Sequence, residues 1–147
     1  MSETLFPAAA FGAVLDLLIP ARGALLPGAG ALGLGAYVEP RLGDAKAVVA
    51  AALVALDERA REGGGEDFAG LGSAPGAELL QEVAGAHPGF LESLIFHLYS
   101  GYYQHPRVVE SIGLEARPPF PDGYPLEKGD LGLLDGVRRR PRLYREI

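Results

Sequence analysis

Gly28-Ala29-Gly30-Ala31-Leu32-Gly33 matches the G-x-G-x-x-G pattern, whose glycines let a dinucleotide pyrophosphate approach backbone amides at a helix start. That chemistry requires a β-strand just before the glycines and a βαβ unit of about 30 residues around them. Here Pro27 and an apolar helical repeat come first, so the segment is expected to be a loop that holds no cofactor. His87, His97 and His105 are the three histidines, and no two share the i, i+3 or i, i+4 spacing that sets two metal ligands on one helix face. His87 and His105 each precede a proline and punctuate helix ends, while His97 is expected in or beside the core with one ring nitrogen bonded. Ser100 lies between two histidines but has neither an orienting carboxylate nor a G-x-S-x-G elbow. Glu127, Asp130 and Asp135 flank a short apolar piece and suit caps and solvation better than acid–base work. The sequence has no cysteine, which excludes disulfides, thiolate catalysis and cysteine-ligated metal. The expectation is therefore of no catalytic, cofactor-binding or metal-binding residues.

What survives is a set of residue types that dominate protein interfaces. Tyr99, Tyr102, Tyr103, His105 and Arg107 cluster in one segment, and Pro118, Pro119, Phe120, Tyr124, Arg142 and Tyr144 lie in another. These eleven are the candidate partner-binding residues, with core packing a strong competitor for Tyr102.

The elements that must position them follow from periodicity and punctuation. Thr4 is placed to cap a first helix with Leu5, Phe6 and Pro7 in its opening turn, and Phe11, Val14, Leu15 and Leu18 recur at helical spacing until Pro20. Residues 21–35 are glycine-dense and predict an ordered loop. A short helical piece at 36–42 leads to Asp44, which offers an N-cap for a helix reaching about Glu62, with Val49, Leu53, Leu56 and Ala60 on its apolar face and Gly63-Gly64-Gly65 as its stop. Ser73 and Pro75 begin a further helix that His87-Pro88 ends, and Pro88 is expected to open the next. That helix, to about Tyr103, carries Leu91, Leu94, Ile95, Leu98 and Tyr102 on one side and Phe96, Tyr99 and Tyr103 on another. A helix apolar almost all round is either central, the simpler expectation, or packs its own core with one side and a partner with the other. His105-Pro106 restarts a helix that Gly113 stops. Four prolines between 118 and 125 then exclude helix and central strand, and the chain continues through Leu131, Leu133, Leu134 and Val137 into an arginine-rich tail.

The expected fold class is all-α: a compact bundle of about five to six helices in one domain over 1–147, with a helical core at 1–113 and a Pro-rich arm and basic tail at 114–147. With 147 residues and 48% hydrophobic content a core is affordable without staples. A net charge of −6 opposes general nucleic-acid binding, and five arginines at 138–145 suit pairing with acidic protein surface better than phosphate. Phe11 to Ile19 carries Asp16 and is shorter than the roughly 18 residues of a membrane span. Met1-Ser2-Glu3-Thr4 shows no basic or twin-arginine leader, which predicts a cytoplasmic location.

Several segments together resemble the small subunit, subunit 3, of gluconate 2-dehydrogenase and related flavin-dependent dehydrogenases. They are Val14-Leu15-Asp16, Ile19-Pro20-Ala21, Pro27-Gly28-Ala29, Ser100-Gly101-Tyr102-Tyr103-Gln104-His105-Pro106 and Ile112-Gly113. The chain departs from that pattern in lacking a twin-arginine signal and in having His105 where an acidic residue commonly precedes the proline. The resemblance implies a helical, non-catalytic accessory chain. It would bind, stabilise or escort a large subunit of the glucose-methanol-choline oxidoreductase type, which holds the FAD, with the Gly-Tyr-Tyr segment and the Pro-rich arm as contacts. The alternative from a different class is a stand-alone ligand-binding protein or enzyme with a pocket near His97, Tyr99 and Tyr103, or a chain that self-associates through that surface.

Overall fold

The computed structural model describes residues 6–118, 120–121 and 123–141. It is 60% helical, and among the described residues there are seven α-helices and no strand. The chain divides into two compact units, Met1–Ala116 and Arg117–Ile147. The first holds α1 (Ala8–Leu18), α2 (Gly35–Val38), α3 (Lys46–Glu62), α4 (Ser73–Ala86), α5 (Phe90–Gln104) and α6 (Pro106–Ser111), and the second holds α7 (Asp135–Arg138). The helix count exceeds the five to six expected because α2 and α7 are single turns of four residues.

Helix α1 begins later than periodicity suggested. Thr4 and Leu5 lie outside the described residues, and Pro7, in extended conformation, is the N-cap, so Phe6 and Pro7 precede the helix instead of forming its first turn. A proline disfavours helical backbone in the residue before it, which excludes Phe6. Its ring instead folds back edge-on to Phe11, centroids 5.0 Å apart, a hydrophobic staple across the helix start. At the other end Ile19 leaves the helical region just before Pro20.

Asp44 caps nothing. Asp44 lies inside the short 3-10 turn Gly43–Ala45, which begins at Gly43 with φ +51°, and the position before α3 is Ala45, without a side-chain cap bond. An N-cap needs extended backbone, and Ala45 at that position is instead helical. Nor does Pro88 open α5: Gly89, at φ +86°, is the N-cap, and that left-handed residue separates the proline from the helix.

The core of the first unit is one cluster. Val14 and Leu15 of α1, Val49, Leu53 and Leu56 of α3, Phe68 of the α3–α4 loop, and Phe90, Leu94 and Leu98 of α5 are all fully buried in it. Helix α3 packs on α1, α4 and α5, while α2 bridges α1 and α5. The α3–α4 loop is fixed by Asp57, whose carboxylate accepts the Phe68 amide at 3.0 Å and so drives that ring inward.

Helix α5 is covered on one side only. Leu94, Leu98 and Tyr102 face the core, whereas Ile95, Phe96, Tyr99 and Tyr103 are exposed, Phe96 to 72%. The central placement that its composition favoured is therefore not what forms. Leu94→Ala should lower stability by about 2–5 kcal/mol through cavity formation, while Phe96→Ala on the same helix should change it by no more than about 0.5 kcal/mol. Urea unfolding of the two variants measures the difference.

Candidate partner-binding surface

Of the glycine pattern, Gly30 and its neighbour Ala31 turn their amides toward helix α1, where Asp16 receives them. Asp16 Oδ1 accepts the Gly30 amide at 2.8 Å and the Ala31 amide at 3.3 Å. An anion does sit in the amide-lined loop, and it is the chain's own carboxylate. The glycines are needed for this approach. A Cβ on Gly30 would stand 2.2 Å from the Gly12 carbonyl oxygen, and one on Gly28 would stand 2.2 Å from Asp16 Oδ1. Ala29, buried between them, donates its amide to the Ile19 carbonyl at 3.0 Å.

The loop is fastened to α5 and α6 as well. The Tyr102 hydroxyl donates to the Pro27 carbonyl at 3.0 Å and the Ser111 hydroxyl to the Leu25 carbonyl at 2.7 Å. Arg22 and Leu26 close a small bridge between these anchors. Burial pushes the Tyr102 phenol above its ordinary value of 10.0, Tyr103 pushes it the same way, and Arg22 pulls it back.

Tyr99 and Tyr103, one helical turn apart, stack at 6.1 Å with planes 17° apart, and Tyr102 meets Tyr103 edge-on at 5.3 Å. Together they line a groove of about 250 Å³, whose other walls include Ile19, Arg22 and Ile112. Tyr99 is 45% and Tyr103 56% exposed, but Tyr102 only 3%. Tyr102 thus serves the groove floor and the loop anchor, and the surface is made by its two neighbours. His97 does not line this groove. Half-buried, it lies with its ring edge-on to Phe96 at 5.3 Å, so this groove takes Tyr99 and Tyr103 but not His97 of the three residues named for the alternative.

On the other side of the same turn, Gly101 admits the Tyr37 ring of α2. A Cβ there would lie 2.6 Å from Tyr37 Cδ1. Arg41 lies over that ring at 3.6 Å and donates to the Tyr37 carbonyl at 2.6 Å. Arg41, Tyr37, Gly101, Gln104 and His105 border a broad, shallow hollow. His105 ends α5 and caps α6, and its buried Nδ1 has no hydrogen-bond partner among the described residues. His87 ends α4. Arg107 is exposed in the first turn of α6.

The remaining candidates belong to the second unit. Pro118 and Phe120 are exposed, and the Tyr124 hydroxyl donates to the Arg117 carbonyl while the Arg117 guanidinium lies 4.8 Å from the Tyr124 ring centre. Pro119, Arg142 and Tyr144 lie outside the described residues. Among the carboxylates, Asp130 caps the turn at Leu131–Leu134 and Asp135 pairs with Arg138. Sequence reasoning missed Arg22, Tyr37, Arg41 and Ile112 as surface residues. Tyr37 at least carried a signal, an aromatic four residues before an arginine, the spacing that stacks the two on a helical turn.

Fold and site together define a helical protein with a loop closed by its own carboxylate and a helix, α5, left half uncovered. The chain belongs to the gluconate 2-dehydrogenase subunit 3 family, whose description matches residues 8–118. No curated protein and no solved structure matches it. Among the described residues no helix is long and apolar enough to cross a membrane.

Two outcomes follow. Gly30→Ala should cost about 3 kcal/mol, because its new methyl meets backbone that cannot move aside, whereas Gly12→Ala, whose methyl meets open space, should be neutral or stabilising by about 0.5–1 kcal/mol. Thermal unfolding of both variants checks this. Because the Tyr102 phenol titrates higher folded than unfolded, its contribution is fully present below pH 10.0 and is lost as pH rises through the folded value. Stability measured across the alkaline range should fall more steeply for the native chain than for Tyr102→Phe.

Proposed function

We propose that this chain is the non-catalytic small subunit of a flavin-dependent dehydrogenase of the glucose-methanol-choline type, and that it binds and stabilises, or escorts, the large FAD-bearing subunit. The family's name places its members in a dehydrogenase complex. The observation that carries the subunit role is the uncovered face of α5: Ile95, Phe96, Tyr99 and Tyr103 stand in solvent along one helix whose opposite side forms the core. An exposed apolar patch of aromatic residues is the usual mark of a surface built for another protein. Tyr99 and Tyr103 supply large area at small entropic cost, and Tyr102 beneath them holds the turn rigid through its bond to Pro27. Any FAD in the assembly belongs to the large chain. Pro118, Phe120 and Tyr124 of the second unit add a further exposed contact region.

Co-expression with the large dehydrogenase subunit of the same organism tests the role. The two chains should co-purify, and the yield of soluble, FAD-loaded large subunit should fall several-fold when this chain is omitted. Tyr99→Glu with Tyr103→Glu should abolish co-purification while leaving this chain's own unfolding midpoint within a few degrees. Retention of complex by that double variant would remove α5 from the interface.

A further inference from the structure

The first unit contains fourteen aspartates and glutamates against six lysines and arginines. With carboxylates in such excess, pairing should be easy to find, and on α3 it is. Lys46 pairs with Glu39, Arg59 with Glu62 and Glu82, and Arg61 with Asp57. Arg22, Arg41 and Arg107 are different: all three are exposed, and none pairs with a carboxylate among the described residues. Arg22 and Arg41 flank the same turn of α5. Arg22 lines the groove of Tyr99, Tyr102 and Tyr103, and Arg41 lines the hollow of Gly101, Gln104 and His105. Arg41 is moreover held in place, stacked on Tyr37 with one nitrogen bonded to the backbone, and a guanidinium has further N–H donors to offer.

We infer that the occupant of this face is an acidic segment of the partner subunit, with one apolar side chain seated in the groove between Tyr99 and Ile112 and carboxylates set against Arg22 and Arg41. Guanidinium groups receive carboxylates through two parallel bonds, and the tyrosines between them provide the apolar seat. A second copy of this chain fits the face less well. A symmetric dimer would bury the patch against itself, and the described residues lining the groove and the hollow include no carboxylate to receive the two guanidinium groups. The inference rests on the subunit role proposed above and adds the chemistry of the segment that binds.

The test is the affinity between this purified chain and the purified large dehydrogenase subunit, measured for the native chain, Arg22→Glu, Arg41→Glu, the double variant and Arg61→Glu. Each single reversal should weaken binding about tenfold and the double about 100-fold. Arg61→Glu, the same charge change on α3, should bind within twofold of the native chain. Raising ionic strength should weaken the native complex and have much less effect on the double variant. Unfolding midpoints establish that each variant is folded, and the salt dependence of the native complex needs no variant at all. Binding by the folded double variant within threefold of native, or a salt-independent native complex, overturns the inference and leaves the subunit role standing. Failure of the native chain to bind the large subunit overturns both. Native self-association that Arg22→Glu and Arg41→Glu disperse would make the occupant a second copy and also overturn it.

Discussion

Asp16 commits its carboxylate to the amides of Gly30 and Ala31, and much of the first unit is arranged around that clasp. Residues 19–34 contain no helix or strand, so their backbone donors and acceptors are met by turns within the segment and by side chains outside it. Asp16 satisfies two donors, the Ile19 carbonyl a third, and Tyr102 and Ser111 each bind a carbonyl. With the loop drawn onto α1, Ala29 and Leu34 enter the core and α2 is delivered against α5, where Tyr37 meets Gly101. The tyrosine groove and the Arg41 hollow exist because α1, the loop and α5 are held at those separations.

The G-x-G-x-x-G pattern and its actual role share one physical cause. Amides exposed by glycine-rich backbone attract an anion, and sequence pattern alone does not say whether that anion is a phosphate or a side chain. Here it stands fourteen residues earlier on α1. The segments that carried the family resemblance are largely the parts of this clasp: Asp16, Ile19, Pro27, Gly28, Gly101 and Tyr102 all lie in it or beside it. They describe a scaffold, which is why their presence identified the family without naming a reaction.

Where apolar residues recur at helical spacing the helices were legible. The buried face of α3, the extent of α4 and the stop of α6 at Gly113 lie where periodicity and punctuation put them. The errors fall where a local signal meets a longer-range constraint. Asp44 has the chemistry of a cap but not the place, because it sits inside the 3-10 turn Gly43–Ala45 and Ala45 holds the position before α3. Pro88 has the preference for a helix start but is followed by a left-handed glycine. On α5, periodicity establishes that two faces are apolar and is silent on which one the rest of the chain can reach. Arg22 and Arg41 were invisible because being unpaired is a property of three-dimensional neighbours, not of spacing.

An uncovered apolar face on a folded chain has a physiological corollary. Water-exposed aromatics attract one another regardless of partner, so a pool of unassembled copies is sticky in proportion to its concentration. Under the subunit role proposed above, such a chain is best made in step with the subunit that would hide this face, and the ratio of the two in the cell would determine how much of either persists.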